Sequence, residues 1–162
     1  MAGFAGHKRG EEACAAVCIE GNVYVVGGRS GGAYLKSAEM YDPSAGQWRA
    51  LPGMSVARRG CAAVCIDGNV CVVGGHDGLS RLKSAEMYDP SAGQWRALPE
   101  MSVARYECAA ACIDGNVYVV GGTHGATKLA SVECYDPVAS EWRTLPSMGT
   151  GRSLCAAVVC DL

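Results

Sequence analysis

Apolar residues fall in short runs separated by turn-forming residues, and no stretch carries a helical stripe. Cys61–Ile66 is one such run, and Asp67-Gly68 after it is a two-residue turn of the kind that closes a β-hairpin. Val70–Val73 is continuously apolar, so the pattern predicts a strand buried on both faces. A glycine doublet, Gly74-Gly75, and a polar loop over His76–Leu82 follow. Ser84–Tyr88 alternates, which places Ser84, Glu86 and Tyr88 on one face of a third strand. Asp89-Pro90-Ser91-Ala92-Gly93 is a turn, because proline presets φ while Asp and Gly favour the flanking turn positions. Gln94–Leu98 makes a fourth strand, and Pro99 ends it. Four strands on short turns form one antiparallel meander.

The same order occurs three times. Gly27-Gly28, Gly74-Gly75 and Gly121-Gly122 stand 47 residues apart, and nearly every other distinctive residue keeps that period. The chain divides into a tail at 1–9, repeats at 10–56, 57–103 and 104–150, and a closing segment at 151–162. A four-stranded sheet cannot bury both faces alone, and the repetition supplies a neighbour on each side, as in propeller blades. Tyr41, Tyr88 and Tyr135 recur on the third strand and Trp48, Trp95 and Trp142 on the fourth. Each tryptophan can bury ~150–250 Å², worth ~4–6 kcal/mol as an upper bound, so blade packing is expected to depend on these pairs. Glu39, Glu86 and Glu133, with Arg58, Arg105 and Arg152, are expected to form repeated structural ion pairs.

Gly-Gly, then Tyr-Asp-Pro thirteen residues on, then Trp seven beyond that Tyr resembles the Kelch repeat over nearly the whole chain. Lys36–Pro52 and Lys83–Pro99 are identical. The resemblance implies an all-β fold in which each copy is one blade of a β-propeller, its strands ordered from the central channel outward. It also implies a ring of five to seven blades, where this sequence carries three. Ser153–Cys160 repeats the opening strand, as if a further blade were beginning. The first repeat carries Glu11-Glu12 where later copies have Arg58-Arg59 and Arg105-Tyr106, but neither end copy has lost its apolar positions. The expectation is therefore two exposed end faces. Such a chain is either part of a longer propeller or half of a ring of three plus three blades, a homodimer that closed rotational symmetry permits.

Charge and cysteine usage narrow the setting. Net charge is −2 with acidic and basic residues interspersed, so no basic field exists to hold a phosphate backbone and nucleic acid is not an expected partner. Residues 1–10 place His7, Lys8 and Arg9 after the apolar residues, the reverse of a secretory signal. No run approaches the ~18 apolar residues of a membrane helix. Of ten cysteines, Cys14, Cys61, Cys108 and Cys155 share one repeat position and Cys18, Cys65 and Cys112 another. Their spacing puts both on one strand face, as small buried thiols rather than a zinc set. Reduced thiols fit a cytoplasmic or nuclear location.

Between copies the loops change far more than the strands. Arg29-Ser30-Gly31-Gly32 becomes His76-Asp77-Gly78-Leu79 and then Thr123-His124-Gly125-Ala126, and variable loops on a constant scaffold are where recognition is placed. The loops after the doublets and the loops joining blades emerge at one end. The resemblance implies that this face binds a protein partner, as in the substrate-recognition half of a ubiquitin-ligase adaptor. The corresponding positions are Arg29, Ser30, Tyr34, Arg59, His76, Asp77, Arg81, Tyr106, Glu107, His124 and Lys128, and Arg and Tyr are favoured interface anchors. Only residues 1–9 precede the repeats, so no adaptor-binding domain is expected ahead of them. No cofactor is expected, and the chain is read as a non-catalytic interaction module. One alternative is a structural or self-assembling repeat. Another is a copper oxidase-like propeller, which the family resemblance raises and for which Tyr34, Tyr106, His76 and His124 supply ligands suited to Cu(II). Gly27–Gly32 lacks the Lys-Ser/Thr ending of a phosphate loop.

Overall fold

The structure is a computed structural model that describes residues 13–157 as three four-stranded antiparallel sheets and two small hairpins. The first sheet is built from β1 (Ala15–Ile19), β2 (Asn22–Val26), β5 (Ala38–Asp42) and β6 (Gln47–Leu51), paired in that order. The hairpin β3 (Arg29–Ser30) and β4 (Ala33–Tyr34) sits in its post-glycine loop. The second sheet contains β7 (Ala62–Ile66), β8 (Asn69–Val73), β9 (Ala85–Asp89) and β10 (Gln94–Leu98). The third contains β11 (Ala109–Ile113), β12 (Asn116–Val120), β15 (Val132–Asp136) and β16 (Glu141–Leu145), with the hairpin β13 (Thr123–His124) and β14 (Thr127–Lys128) between. The expected meanders are therefore present, and the fold is all-β.

Local chemistry explains the turns. Asp67 and Gly68 have φ of 47° and 75°, the doubly left-handed turn that suits the twist of a tight hairpin. In the next turn the Asp89 carboxylate accepts from the Ser91 N–H (2.8 Å) and hydroxyl (2.6 Å) and from the Ala92 N–H (3.1 Å). Gly93 N–H donates to Asp89 O at 2.8 Å and completes it.

The innermost strands β1, β7 and β11 lie side by side, so the three sheets splay like blades around one axis. A chain of backbone bonds links their entrances: Gly60 N–H to Ala13 O, Glu107 N–H to Gly60 O, and Leu154 N–H to Glu107 O, at 2.8, 2.8 and 3.0 Å. All four residues take left-handed φ, between 52° and 61°.

Two apolar cores fill the spaces between blades. Val26, Ala38 and Met54 of the first blade meet Val70, Val72 and Tyr88 of the second. Val73, Met87 and Met101 of the second meet Val117, Val119 and Tyr135 of the third. Each core is closed by a buried ion pair. The Arg58 guanidinium, fully buried, donates to Glu86 Oε1 (2.9 Å), to the carbonyls of Gly74 (2.8 Å) and Ser84 (2.9 Å), and to Ser84 Oγ (2.9 Å). Arg105 repeats this with Glu133, Gly121 and Ser131. The Tyr–Trp pairs are cross-strand neighbours with ring centroids 5.2 Å apart. Trp95 Nε1 donates to Pro52 O and Trp142 Nε1 to Pro99 O of the preceding blade, both at 2.7 Å.

Three expectations need correction. Glu39 and Arg152 form no ion pair among the described residues; both are exposed, because the described residues include no blade beyond either to supply the other half. Cys14 and Cys18 are exposed rather than buried, and Cys65, Cys112 and Cys155 are only half-buried, whereas Cys61 and Cys108 are buried. Up to Ala157 the closing segment forms no strand, and the remainder of the expected Ser153–Cys160 strand lies outside the described residues, as do Glu11 and Glu12.

Candidate partner-binding site

The glycine doublets bring the loops together. Gly27, Gly74 and Gly121 have φ of 65°, 65° and 63°, and a Cβ on any of them would collide with the carbonyl of Arg58, Arg105 or Arg152. Gly28, Gly75 and Gly122 then donate their N–H to those same carbonyls at 2.7, 2.8 and 2.7 Å. Only glycine permits both the left-handed backbone and this approach. Each doublet thus locks its own post-glycine loop to the linker that follows its blade.

The cluster assembles from there. Arg59 exchanges backbone hydrogen bonds with His76 (N–H to O at 3.0 and 2.9 Å), and His76 bridges Arg81 across its loop. Tyr106 and Thr123 are paired in the same way one blade on. The His76 ring lies 5.6 Å from Tyr34 and 5.9 Å from Tyr106, edge-on to the latter. The guanidinium carbons of Arg59 and Arg81 stand 5.8 and 6.0 Å from the centre of the Tyr106 ring, within cation–π range. Arg29 is cross-strand partner to Tyr34 in the β3–β4 hairpin. Loops from all three blades therefore present a half-buried arginine–aromatic surface.

Two carboxylates stand at its edge. Asp77 accepts from the Leu79 and Ser80 N–H groups, both at 2.7 Å, and these bonds hold its carboxyl below the usual aspartate range. Burial first, then the neighbouring Glu107 carboxylate, pushes the Tyr106 hydroxyl above the usual tyrosine range. Arg81 Nε is buried with no hydrogen-bond partner among the described residues. A buried N–H without an acceptor carries a desolvation cost of ~1–3 kcal/mol, which an incoming acceptor would relieve.

Not every sequence candidate joins this surface. Arg29, Tyr34, Arg59, His76, Arg81 and Tyr106 meet, with Asp77 and Glu107 at its edge and Ser30 at the turn of the first hairpin. His124 and Lys128 lie exposed on β13 and β14 and take no part in the ring and guanidinium contacts that define the cluster. His76 Nδ1 accepts the Gly78 N–H at 2.9 Å, so that nitrogen is already engaged. Among the described residues no group of three or more His, Cys, Asp or Glu converges on one point. The four-ligand copper arrangement is thus not assembled: His124 stands apart and His76 offers only Nε2. A separate cavity of about 230 Å³ lies where the blades' innermost strands begin, lined by Ala13, Gly60, Glu107 and Leu154 and the cysteines that follow each. Sequence reading found its four cysteines as one repeat position but not the cavity, whose other lining residues are joined only by a left-handed backbone.

The chain matches the family model described as KLHDC2/KLHL20/DRC7 Kelch-repeats domain over residues 3–161. Among solved structures it is similar to that of YjhT, with a TM-score of 0.78 and 18% identity over 94% of this chain. The match takes in 56% of YjhT, so this chain spans about half the length of that neighbour. At that identity the likeness speaks for the fold. No curated protein matches the sequence closely.

Proposed function

Because the chain belongs to the family of KLHDC2/KLHL20/DRC7 Kelch-repeats domains, we propose that it is a non-catalytic interaction module that receives a carboxylate-bearing segment of a protein partner on its loop face. The observation that carries the reading is the pair of guanidinium groups, Arg59 and Arg81, set against one tyrosine ring, with Arg81 Nε buried and lacking an acceptor. Guanidinium forks match carboxylate geometry, and the aromatic rings of Tyr34, His76 and Tyr106 give the peptide stem apolar surface. Ser30 and Asp77 at the rim select among residues flanking the acid. Presentation of that segment to a ubiquitin-ligase complex is the use this family implies.

Fluorescence anisotropy with labelled peptides tests this directly. Acidic peptides should bind more tightly than amide-substituted versions of the same sequence, and affinity should fall with rising salt. Arg59→Ala combined with Arg81→Ala should weaken binding ~30-fold or more. Equal binding of acidic and neutral peptides, or indifference to the double substitution, would refute the reading. The ubiquitin-ligase role needs its own result: ubiquitin transfer to a captured peptide in a reconstituted reaction, abolished by the same substitutions.

A further inference from the structure

One repeat position, just ahead of each innermost strand, holds Ala13, Gly60, Glu107 and Leu154 at φ of 55°, 61°, 58° and 52°. Glycine at such a φ is ordinarily explained by the backbone, because a side chain there is strained. Here three residues with side chains adopt it, held by the row of hydrogen bonds between blade entrances, so φ is not what requires glycine at 60. What sets Gly60 apart lies over it. A Cβ at this position would come within 2.5 and 2.9 Å of Cε2 and Cδ2 of Tyr106, from the next linker. The Tyr106 ring thus fills the space that a side chain at 60 would take. Matched one joint apart, the two positions pair Ala13 with Arg59, Gly60 with Tyr106 and Glu107 with Ser153, a small residue with a large one each time.

This seat sets the geometry of the arginine–aromatic surface. The Tyr106 main chain exchanges hydrogen bonds with Thr123 at 3.1 and 2.7 Å, and that of Gly60 donates to Ala13 O and accepts from Glu107 N–H, both at 2.8 Å. With both backbones pinned, a clash at 60 is relieved by turning the Tyr106 side chain to another rotamer, away from the linker. A ring so turned leaves the place where the guanidinium carbons of Arg59 and Arg81 stand 5.8 and 6.0 Å from its centre and the His76 ring 5.9 Å. Gly74 is a contrasting case, since a Cβ there meets the Arg105 carbonyl, which has no such freedom.

We propose that Gly60 is a positioning residue of the loop face: by omitting a side chain it seats the Tyr106 ring within cation–π range of both Arg59 and Arg81, and that seating gives the face its preference for an acid. The inference rests on the acid-binding reading above and adds the residue that controls it. A ring held in place keeps the two guanidinium groups in order before the ligand arrives, so less ordering is left to binding. Gly60 itself touches no ligand and acts through Tyr106.

Wild type, Gly60→Ala, Tyr106→Ser and the double variant test this together. Nuclear Overhauser contacts should join the Tyr106 ring protons to the Gly60 α-protons and to the His76 ring in the wild type, and the contact with His76 should vanish in Gly60→Ala. The urea midpoint should fall at least about twice as far on Gly60→Ala in the wild-type background as in the Tyr106→Ser background, whereas a glycine kept for its φ alone would cost the same in both. By fluorescence anisotropy, the preference for an acidic peptide over its amide-substituted form should drop ~10-fold or more in Gly60→Ala and in Tyr106→Ser. Where Gly60→Ala alone does not fold, recovery of folding on adding Tyr106→Ser, with the lowered preference of Tyr106→Ser, carries the same meaning, and failure of either overturns the proposal. A preference kept in Gly60→Ala, a Tyr106–His76 contact that survives there, or equal midpoint losses in the two backgrounds would overturn this inference and leave the acid-binding reading standing. A wild type that binds both peptides equally would overturn the acid-binding reading and this inference with it.

Discussion

Replacing Arg105 by methionine would remove the most enclosed cation of the second joint. Its guanidinium is fully buried and donates to Glu133 Oε1 at 3.0 and 3.3 Å, to the carbonyls of Gly121 (2.8 Å) and Ser131 (2.9 Å), and to Ser131 Oγ (2.9 Å). Methionine conserves much of the volume, so the loss is electrostatic. Glu133, only 1% exposed, would be left as an uncompensated buried charge. Removing one partner of such a pair costs ~3–5 kcal/mol. For a chain of this size that is a fall in Tm of ~6–20 °C. Equilibrium urea unfolding, followed by tryptophan fluorescence, supplies the free energy. Arg152→Met is the internal control: it alters the same repeat position at an exposed site and, in dilute protein, should cost about 0.5 kcal/mol or less. Adding Glu133→Gln to Arg105→Met should recover ~1–2 kcal/mol, because the amide still accepts from Ser102 N–H without a charge to desolvate. A single-variant loss under ~1 kcal/mol, or losses that simply add in the double variant, would refute the account of the joint.

Three further outcomes follow from the same geometry. Gly74→Ala should destabilise by several-fold more than Gly68→Ala in unfolding equilibria: both have positive φ, but a Cβ on Gly74 strikes the Arg105 carbonyl while one on Gly68 meets open space. Burial alone would raise Glu86, yet the Ser55 N–H and the Arg58 guanidinium hold its carboxyl below 4.5, so its contribution is complete above 4.5 and lost as pH falls through the lower folded value. Burial pushes the Cys61, Cys71 and Cys108 thiols up from 9.0 to about 12, so their contribution is complete below 9 and lost toward 12; the urea midpoint should therefore decline on both sides of a plateau between ~5 and ~9. In dilute native protein, alkylation read by mass spectrometry should mark Cys14 and Cys18 well before Cys61, Cys71 or Cys108, and equal rates would contradict the burial of the joints.

Much of this architecture was legible because the period repeats the evidence. The doublets, the Asp-Gly turns and the Tyr–Trp pairs each carry a local reason that the neighbouring copies restate, and all appear where the pattern puts them. What the period cannot resolve is direction across a joint. Arg58 follows Glu39 and precedes Glu86 in the sequence, and spacing alone allows either partner; only the packing of one blade on the next assigns it to Glu86 and strands Glu39. The loop face was legible as a region but not as a cluster. His124 and Lys128 occupy the same kind of variable loop as His76 and Arg81, yet their blade has no following neighbour among the described residues to fold them inward. The inner cavity was legible only in part: the cysteines at 14, 61, 108 and 155 keep the period, whereas the four left-handed residues before them, Ala13, Gly60, Glu107 and Leu154, share no side-chain signature.

The row of backbone bonds from Ala13 through Gly60 and Glu107 to Leu154 has a bearing on how such chains lengthen. It uses no side chain, and each unit gives one donor inward and accepts one in return. A copy duplicated into the middle of the gene would meet both neighbours with every bond already in place, and no compensating substitution would be required. Selection could then act on the loops of the new copy alone. The identity of Lys36–Pro52 and Lys83–Pro99 beside their dissimilar loops is the imprint such a process leaves.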